Sequence, residues 1–174
     1  GTRTPVSRRP PVRNRSKVSG RPSPVRIGAW ELLQTAGRGE HSEVFLARPA
    51  MASDGAMADY AVKRLAPHRV RDQQAVSMFR REAECGSAVS HPHLAATLVT
   101  HVERQPYYFV MPRLKGATVR AVLVSQNRFR IRKALWIARQ VADGLRCLHE
   151  NGWIHGDVKP ANIMLGFNGH ATLF

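Results

Sequence analysis

Cysteine, acidic groups and long apolar runs are all scarce in this chain of 174 residues. The only two cysteines, Cys85 and Cys147, lack Cys-x-x-Cys spacing, so neither a disulfide framework nor a zinc site is indicated, and both read as small buried thiols. No window approaches the ~18 apolar residues of a membrane span. The N-terminus also lacks the apolar core of a signal peptide. The expectation is a cytoplasmic protein, and the sequence says nothing of a membrane anchor beyond residue 174. Acids number 12 against 27 Lys and Arg, for a net charge of +15. Residues 1–26 hold eight of the basic groups, no acid and no aromatic ring. With so little to bury, this Pro/Arg/Ser-rich stretch is expected to be a solvated, disordered tail with partly polyproline-like character. Its contact with nucleic acid or other polyanions would be non-specific and salt-sensitive, because no aromatic side chains are interleaved to read bases.

What the chain does have is ordinary globular composition, 43% apolar and 22% charged, enough for one domain or a pair of small lobes. From Gly28 the pattern becomes strand-like. "AWELLQT", the turn "GRGEHS" and "EVFLARP" read as a hairpin, and "DYAVKRLA" follows as a neighbouring strand after the loop "MASDGAMA". From Gln73 to Val89 the residues Val76, Phe79, Ala83 and Gly86 or Val89 recur at helical spacing, and the proline of "SHPHL" ends the run. "LAATLVTHV" and "PYYFVMP" read as two more strands and "ATVRAVLVSQ" as a helix. A longer helix spans Arg130 to Glu150, with Leu135, Ala138, Val141, Ala142, Leu145 and Leu148 as its apolar stripe and "NG" as its stop. "HATLF" reads as a short strand. A sheet with one helix is therefore followed by a mainly helical part, an α+β order.

Several polar residues stand out against this frame. Gly37, Arg38 and Gly39 fall in a turn, where missing Cβ atoms would let backbone N–H groups close over phosphate oxygens, although an ordinary hairpin turn has the same composition. Lys63 lies amid Ala61, Val62 and Leu65. Its ammonium either reaches the surface or needs a buried anion, for which Glu82 on the following helix is the natural partner. The most specific stretch is "WIHGDVKPANIML", which holds a carboxylate at Asp157, a cation at Lys159 and a carboxamide at Asn162 between two apolar ends, with Pro160 stiffening the turn. Such a set can accept a proton from a hydroxyl, hold a phosphate and ligate magnesium.

Taken together, "GRGEHSEV", "AVKRL", "FRREAE" and "HGDVKPANIML" occur in the order and spacing of the protein kinase family, and the chain resembles its serine/threonine branch from about Trp30 to Phe174. The resemblance implies a bilobal fold, with a small lobe and hinge over 27–114 and the start of a large lobe over 115–174. It also implies ATP and Mg2+ as cofactors, with phosphoryl transfer to Ser or Thr of a protein substrate. By position, Gly37 and Gly39 would cover the nucleotide phosphates, and Lys63 would hold them while pairing with Glu82. Asp157 would take the substrate proton, Lys159 would contact the transferred phosphate, Asn162 would ligate magnesium, and His155 would be structural. Met111 resembles the gatekeeper, while Pro112 and Leu114 would present a carbonyl and an N–H to adenine. Val44, Ala61 and Met164 would wall the base, though each is ordinary core in another fold.

Three departures qualify these implications. Ser42 stands in place of a third glycine, and Gly156 in place of the usual arginine before the aspartate. Losing that arginine removes the cation that would answer a phosphorylated activation loop. The chain also ends before any Asp-Phe-Gly, so the resemblance implies that turnover belongs to a longer chain. A pseudokinase or nucleotide-binding scaffold is the competing reading, although a scaffold needs none of Lys63, Glu82, Asp157, Lys159 and Asn162. A nucleic-acid-binding role rests on the basic tail alone.

Overall fold

A computed structural model describes residues 25–53 and 55–174. Most of the tail expected over 1–26 lies outside the described residues. Its last two residues belong to the fold instead, because β1 (Val25–Ile27) pairs antiparallel with Trp30–Leu32 and buries Ile27.

Five further strands complete a six-stranded antiparallel sheet in the order β1-β2-β3-β4-β6-β5. They are β2 (Trp30–Arg38), β3 (Ser42–Pro49), β4 (Tyr60–Leu65), β5 (Val99–His101) and β6 (Tyr108–Pro112). Alternation along these strands sorts the side chains onto two faces. Ile27, Leu32, Ala47, Val62, Tyr108 and Val110 cluster on one. Leu65, Val102 and Phe109 face the other, where α1 (Gln73–Ala88) covers them with Ala75, Phe79 and Ala83. The Phe79 and Phe109 rings lie 5.1 Å apart. The helix begins where Asp72 accepts the N–H groups of Gln74 and Ala75 at 3.0 and 3.1 Å, an N-cap that also holds the Asp72 carboxyl below its ordinary range.

Across β2 and β3 the Glu31 carboxylate takes two bonds from Arg48, both 3.2 Å, and Glu31 is buried. Removing one partner of such a pair strands the other charge. Glu31→Ala is therefore expected to cost about 3 kcal/mol, measured as a lower midpoint in urea denaturation. A midpoint equal to the parent's would show that solvent reaches the pair freely.

The remaining elements are β7 (Ala117–Thr118), α2 (Val119–Gln126), α3 (Ile131–Glu150), β8 (Ile163–Leu165) and β9 (Ala171–Leu173). The three strands form a small sheet in the order β7-β8-β9. Its apolar side packs Ile163, Leu165 and Leu173 against Val119 of α2 and Ile137 and Val141 of α3. The molecule is thus bilobal and α+β. The lobes are joined by the segment after α1, where Ala95 N–H donates to Leu173 and Leu173 N–H to His93, at 2.8 and 2.9 Å. His93 Nδ1 bonds the Ala171 carbonyl at 2.8 Å. Gly144 lets α3 approach this seam, since a Cβ there would stand 3.2 Å from the His93 carbonyl oxygen.

Several expectations need correction. In α3, Leu135 is 64% exposed and Ala138 and Ala142 are exposed, while Ile137, Gln140, Val141, Gly144 and Leu148 are buried. Val141, Leu145 and Leu148 of the expected stripe do face the core, but Ile137, Gln140 and Gly144 take the places expected for Leu135, Ala138 and Ala142, and Gln140 is held inward by its bonds to Gly169 and Ala171. Gly37 lies within β2 and pairs with Val44, so the turn shrinks to Gly39–His41. Only Val99–His101 of "LAATLVTHV" is strand, because the preceding residues form the seam. Cys85 and Cys147 are free thiols and only half-buried, and burial pushes the Cys85 thiol up from its ordinary pKa.

Candidate functional site

Four neighbouring strands bring most of the expected phosphate-side residues together. The sheet register aligns Gly37, Val44, Lys63 and Phe109 across β2, β3, β4 and β6. It likewise aligns Leu46, Ala61 and Met111 across β3, β4 and β6. Lys63 and Ala61 therefore share the face covered by α1, while Val62 between them faces the opposite core. Glu82 comes from α1, and its Oε1 accepts from Lys63 Nζ at 2.5 Å. The ammonium is also 5.8 Å from the centre of the Phe109 ring. The Lys63 side chain is 22% exposed and that of Glu82 45%, so the pair sits at a rim with the charges open on one side.

The hairpin tip offers less cradle than the glycine spacing implied. Gly39 N–H donates to the Ser42 carbonyl at 2.8 Å and is committed to the turn. Among the described residues the N–H groups of Glu40 and His41 have no partner. Packing does not demand glycine at either position. A Cβ at Gly37 would meet nothing within 4 Å, and at Gly39 only the Ser42 oxygen at 3.7 Å. The space over both glycines is open to a ligand. Beyond β6, Arg113 N–H donates to Asp59 at 2.9 Å, whereas the Leu114 N–H has no partner among the described residues. Pro112 ends β6 opposite Tyr60 and is exposed. The chain then passes so close to β8 that a Cβ at Gly116, with φ +145°, would lie 2.0 Å from the Leu165 oxygen. Only glycine fits there.

The polar loop is fixed at both ends. At the end of α3, Trp153 N–H donates back to Leu148 at 2.9 Å and the Asn151 side chain to the Cys147 carbonyl at 2.9 Å, while Gly152 takes a φ of +78°. At the other end Ile163 and Leu165 are buried in β8, which leaves Met164 on the opposite side of the strand. Between them Asp157 Oδ2 accepts from Lys159 Nζ at 2.7 Å and from Asn162 Nδ2 at 2.8 Å. Asn162 Nδ2 also reaches the Asp157 carbonyl at 2.9 Å, and Asp157 N–H donates to His155 Nδ1 at 3.3 Å. The bond from Lys159, aided by that from Asn162, holds the Asp157 carboxyl below its usual range. Asp157 Oδ1 has no donor among the described residues, so one carboxylate oxygen is anchored and the other is open.

Burial pushes the His155 imidazole below its ordinary pKa and keeps it neutral, which suits a ring whose Nδ1 accepts. This ring feels the charges of Asp157, Glu82 and Lys63 alike, so it lies within electrostatic reach of both halves of the site. Gly156, with φ +75° and open space around it, supplies a left-handed turn that an arginine would adopt only with strain.

The residues partly fit the implied magnesium. The bonds to Asp157 occupy Asn162 Nδ2 and leave its oxygen available. Among the described residues no group of three or more His, Cys, Asp or Glu could hold a metal, so Asn162 would be one ligand among others. Sequence reasoning missed the two hydrogen bonds that Asn162 Nδ2 donates to Asp157, an i,i+5 contact set by the 3-10 turn Pro160–Asn162. Arg120, in the first turn of α2, stands beside the loop and lines a groove with Lys159 and Pro160.

Residues 30–173 match the family model described as the protein kinase domain. The serine/threonine-protein kinase PknB of Mycolicibacterium smegmatis is 36% identical over 143 residues, which cover 80% of this chain and 22% of that protein. PknB of Mycobacterium tuberculosis is 35% identical over 140 residues, 78% of this chain and 22% of its own length. The serine/threonine-protein kinase PrkC of Bacillus subtilis is 27% identical over 143 residues, 82% of this chain and 22% of that protein. The chain therefore spans under a quarter of the length of these relatives.

Proposed function

The chain belongs to the protein kinase family, and from that premise we propose that the whole protein transfers the terminal phosphate of ATP to Ser or Thr hydroxyls of protein substrates. The observation that carries this reading is the Asp157 carboxylate, with Oδ2 tied to Lys159 and Asn162 and Oδ1 open. In the reaction the acceptor oxygen attacks the terminal phosphorus, the bond to the leaving diphosphate oxygen breaks, and the hydroxyl proton passes to Asp157. Lys63, steadied by Glu82, holds the negative phosphates. Gly37 and Gly39 leave room above them. The Leu114 N–H and the Pro112 carbonyl orient adenine, between Val44 and Ala61 on one side and Met164 on the other, with Met111 beside them. Lys159 stabilises charge on the transferred group. When bound, magnesium would neutralise phosphate charge, with Asn162 contributing one ligand oxygen.

A scaffold that only displays its surface has no use for these assembled pairs. No helix among the described residues is long and apolar enough to cross a membrane. Dependence on ATP favours a reaction in the cytoplasm, and the basic residues of 1–26 would add salt-sensitive contact with polyanions. The test is transfer of labelled phosphate from ATP to a protein substrate by the full-length protein, followed by phosphoamino-acid analysis. Label on Ser or Thr is expected. Label on Tyr alone, or none, overturns the reading.

A pH profile checks the assigned base. Asp157 acts as its carboxylate, and its pKa is depressed chiefly by Lys159. Activity should therefore persist as pH falls until that depressed value is reached. Lys159→Met removes the main cause, raises the Asp157 pKa and moves the acid limb of kcat/KM to higher pH. An acid limb that stays in place or moves down would reassign the base.

A further inference from the structure

Beside the anchored carboxylate, a groove of about 330 Å³ runs between α2 and the polar loop, lined by Arg120, Leu123, Val124, Lys159, Pro160 and Ala161. We propose that this groove selects acceptor peptides by taking an apolar side chain next to the phosphorylated residue, with an acidic residue facing Arg120. The proposal rests on the kinase reading above and names its substrate class.

Leu123, Val124, Pro160 and Ala161 make the lining of the groove largely apolar, and Val124, 81% exposed, is open to an incoming apolar side chain. The charge around it has one sign. Lys159 is neutralised by Asp157, but Arg120 has no ion-pair partner among the described residues, and no acid lines the groove. From Arg104 to Ala142 the chain holds nine basic residues and no acidic one. Helix stability does not account for Arg120, because a cation in the first turn of α2 opposes the positive end of the helix dipole. An anion brought by a ligand would relieve that opposition. Lys159 both bonds Asp157 and lines the groove, so a peptide whose hydroxyl meets Asp157 has neighbouring residues at the edge of the groove.

The experiment measures binding and turnover separately, on the full-length protein. Fluorescence anisotropy uses peptides with Ala in place of the acceptor and with Glu and Leu moved in turn through the positions on either side. Changing the preferred Glu to Lys is expected to weaken binding about fivefold, as for an exposed charge pair. Changing the preferred Leu to Gln should weaken it about tenfold, as for a half-buried leucine. Both preferences should fall on the same side of the acceptor. Arg120→Glu should invert the charge preference without altering transfer to an uncharged peptide, and Val124→Ser should narrow the leucine preference alone. Binding that ignores flanking charge, or favours Lys, overturns the groove, as does an Arg120→Glu protein with the parent's preferences. The same peptides with Ser restored are then offered with ATP. Selective binding without phosphate transfer would support the groove and overturn the kinase reading. Transfer without flanking preference would do the reverse.

Discussion

Asp157→Asn in the full-length protein is expected to lower phosphate transfer about a thousandfold, within the range that a positioned general base contributes. The substitution keeps size and shape, and the nucleotide is held elsewhere in the site, so KM for ATP should stay near that of the parent. The amide cannot take a proton at the position of the open Oδ1. The amide oxygen can still accept from Lys159 and Asn162 in place of Oδ2, but without the carboxylate charge, so the anchor is weakened while the base is lost. Steady-state rates over a range of ATP and substrate concentrations separate these effects. Equal rates for the two proteins would refute the assigned role.

The second large effect is expected for Lys63→Met, which keeps the aliphatic stem against Phe109 and removes the ammonium that bonds Glu82. Transfer should fall about a thousandfold or more, each tenfold being ~1.4 kcal/mol of barrier. Because the lost cation faces developing phosphate charge, the loss should fall mainly on kcat. Glu82→Gln acts only by steadying Lys63, so its effect should be smaller, and the double variant should be no worse than Lys63→Met alone. Unchanged turnover in Lys63→Met would sink the phosphate role of this lysine. A double variant far below the single one would show that Glu82 acts on its own.

How well the sequence revealed each feature follows from how far along the chain its cause lies. The loop around Asp157 was legible because its partners, His155, Lys159 and Asn162, lie within five positions and leave a dense local signature. The helix α1 was legible from Val76, Phe79 and Ala83 at helical spacing, and the structure adds the Asp72 cap and buries Ala75 beside them. The stripe of α3 was half right: Val141, Leu145 and Leu148 face the core, whereas Leu135, Ala138 and Ala142 do not. Apolar residues on that helix outnumber those its neighbours cover, and the choice among them was made by Gln140 reaching β9 and by Gly144 meeting His93. The glycines at 37 and 39 were seen, but the register that puts Gly37 in a strand and commits the Gly39 N–H to the turn was not.

By itself the sequence determined the order of the longer elements, the α+β class, the family resemblance and the chemistry of each polar group, because periodicity and short motifs act over a few residues, whereas the short strands β1, β7 and β8 were not legible. Only the tertiary structure decided which groups meet. It set the Lys63–Glu82 contact 19 positions apart, the seam from His93 to Ala171 across 78, and the groove that joins Arg120 to Ala161. The physical reason is that such contacts are fixed by strand register and helix docking. Those depend on the sum of many buried surfaces rather than on any stretch that can be read alone.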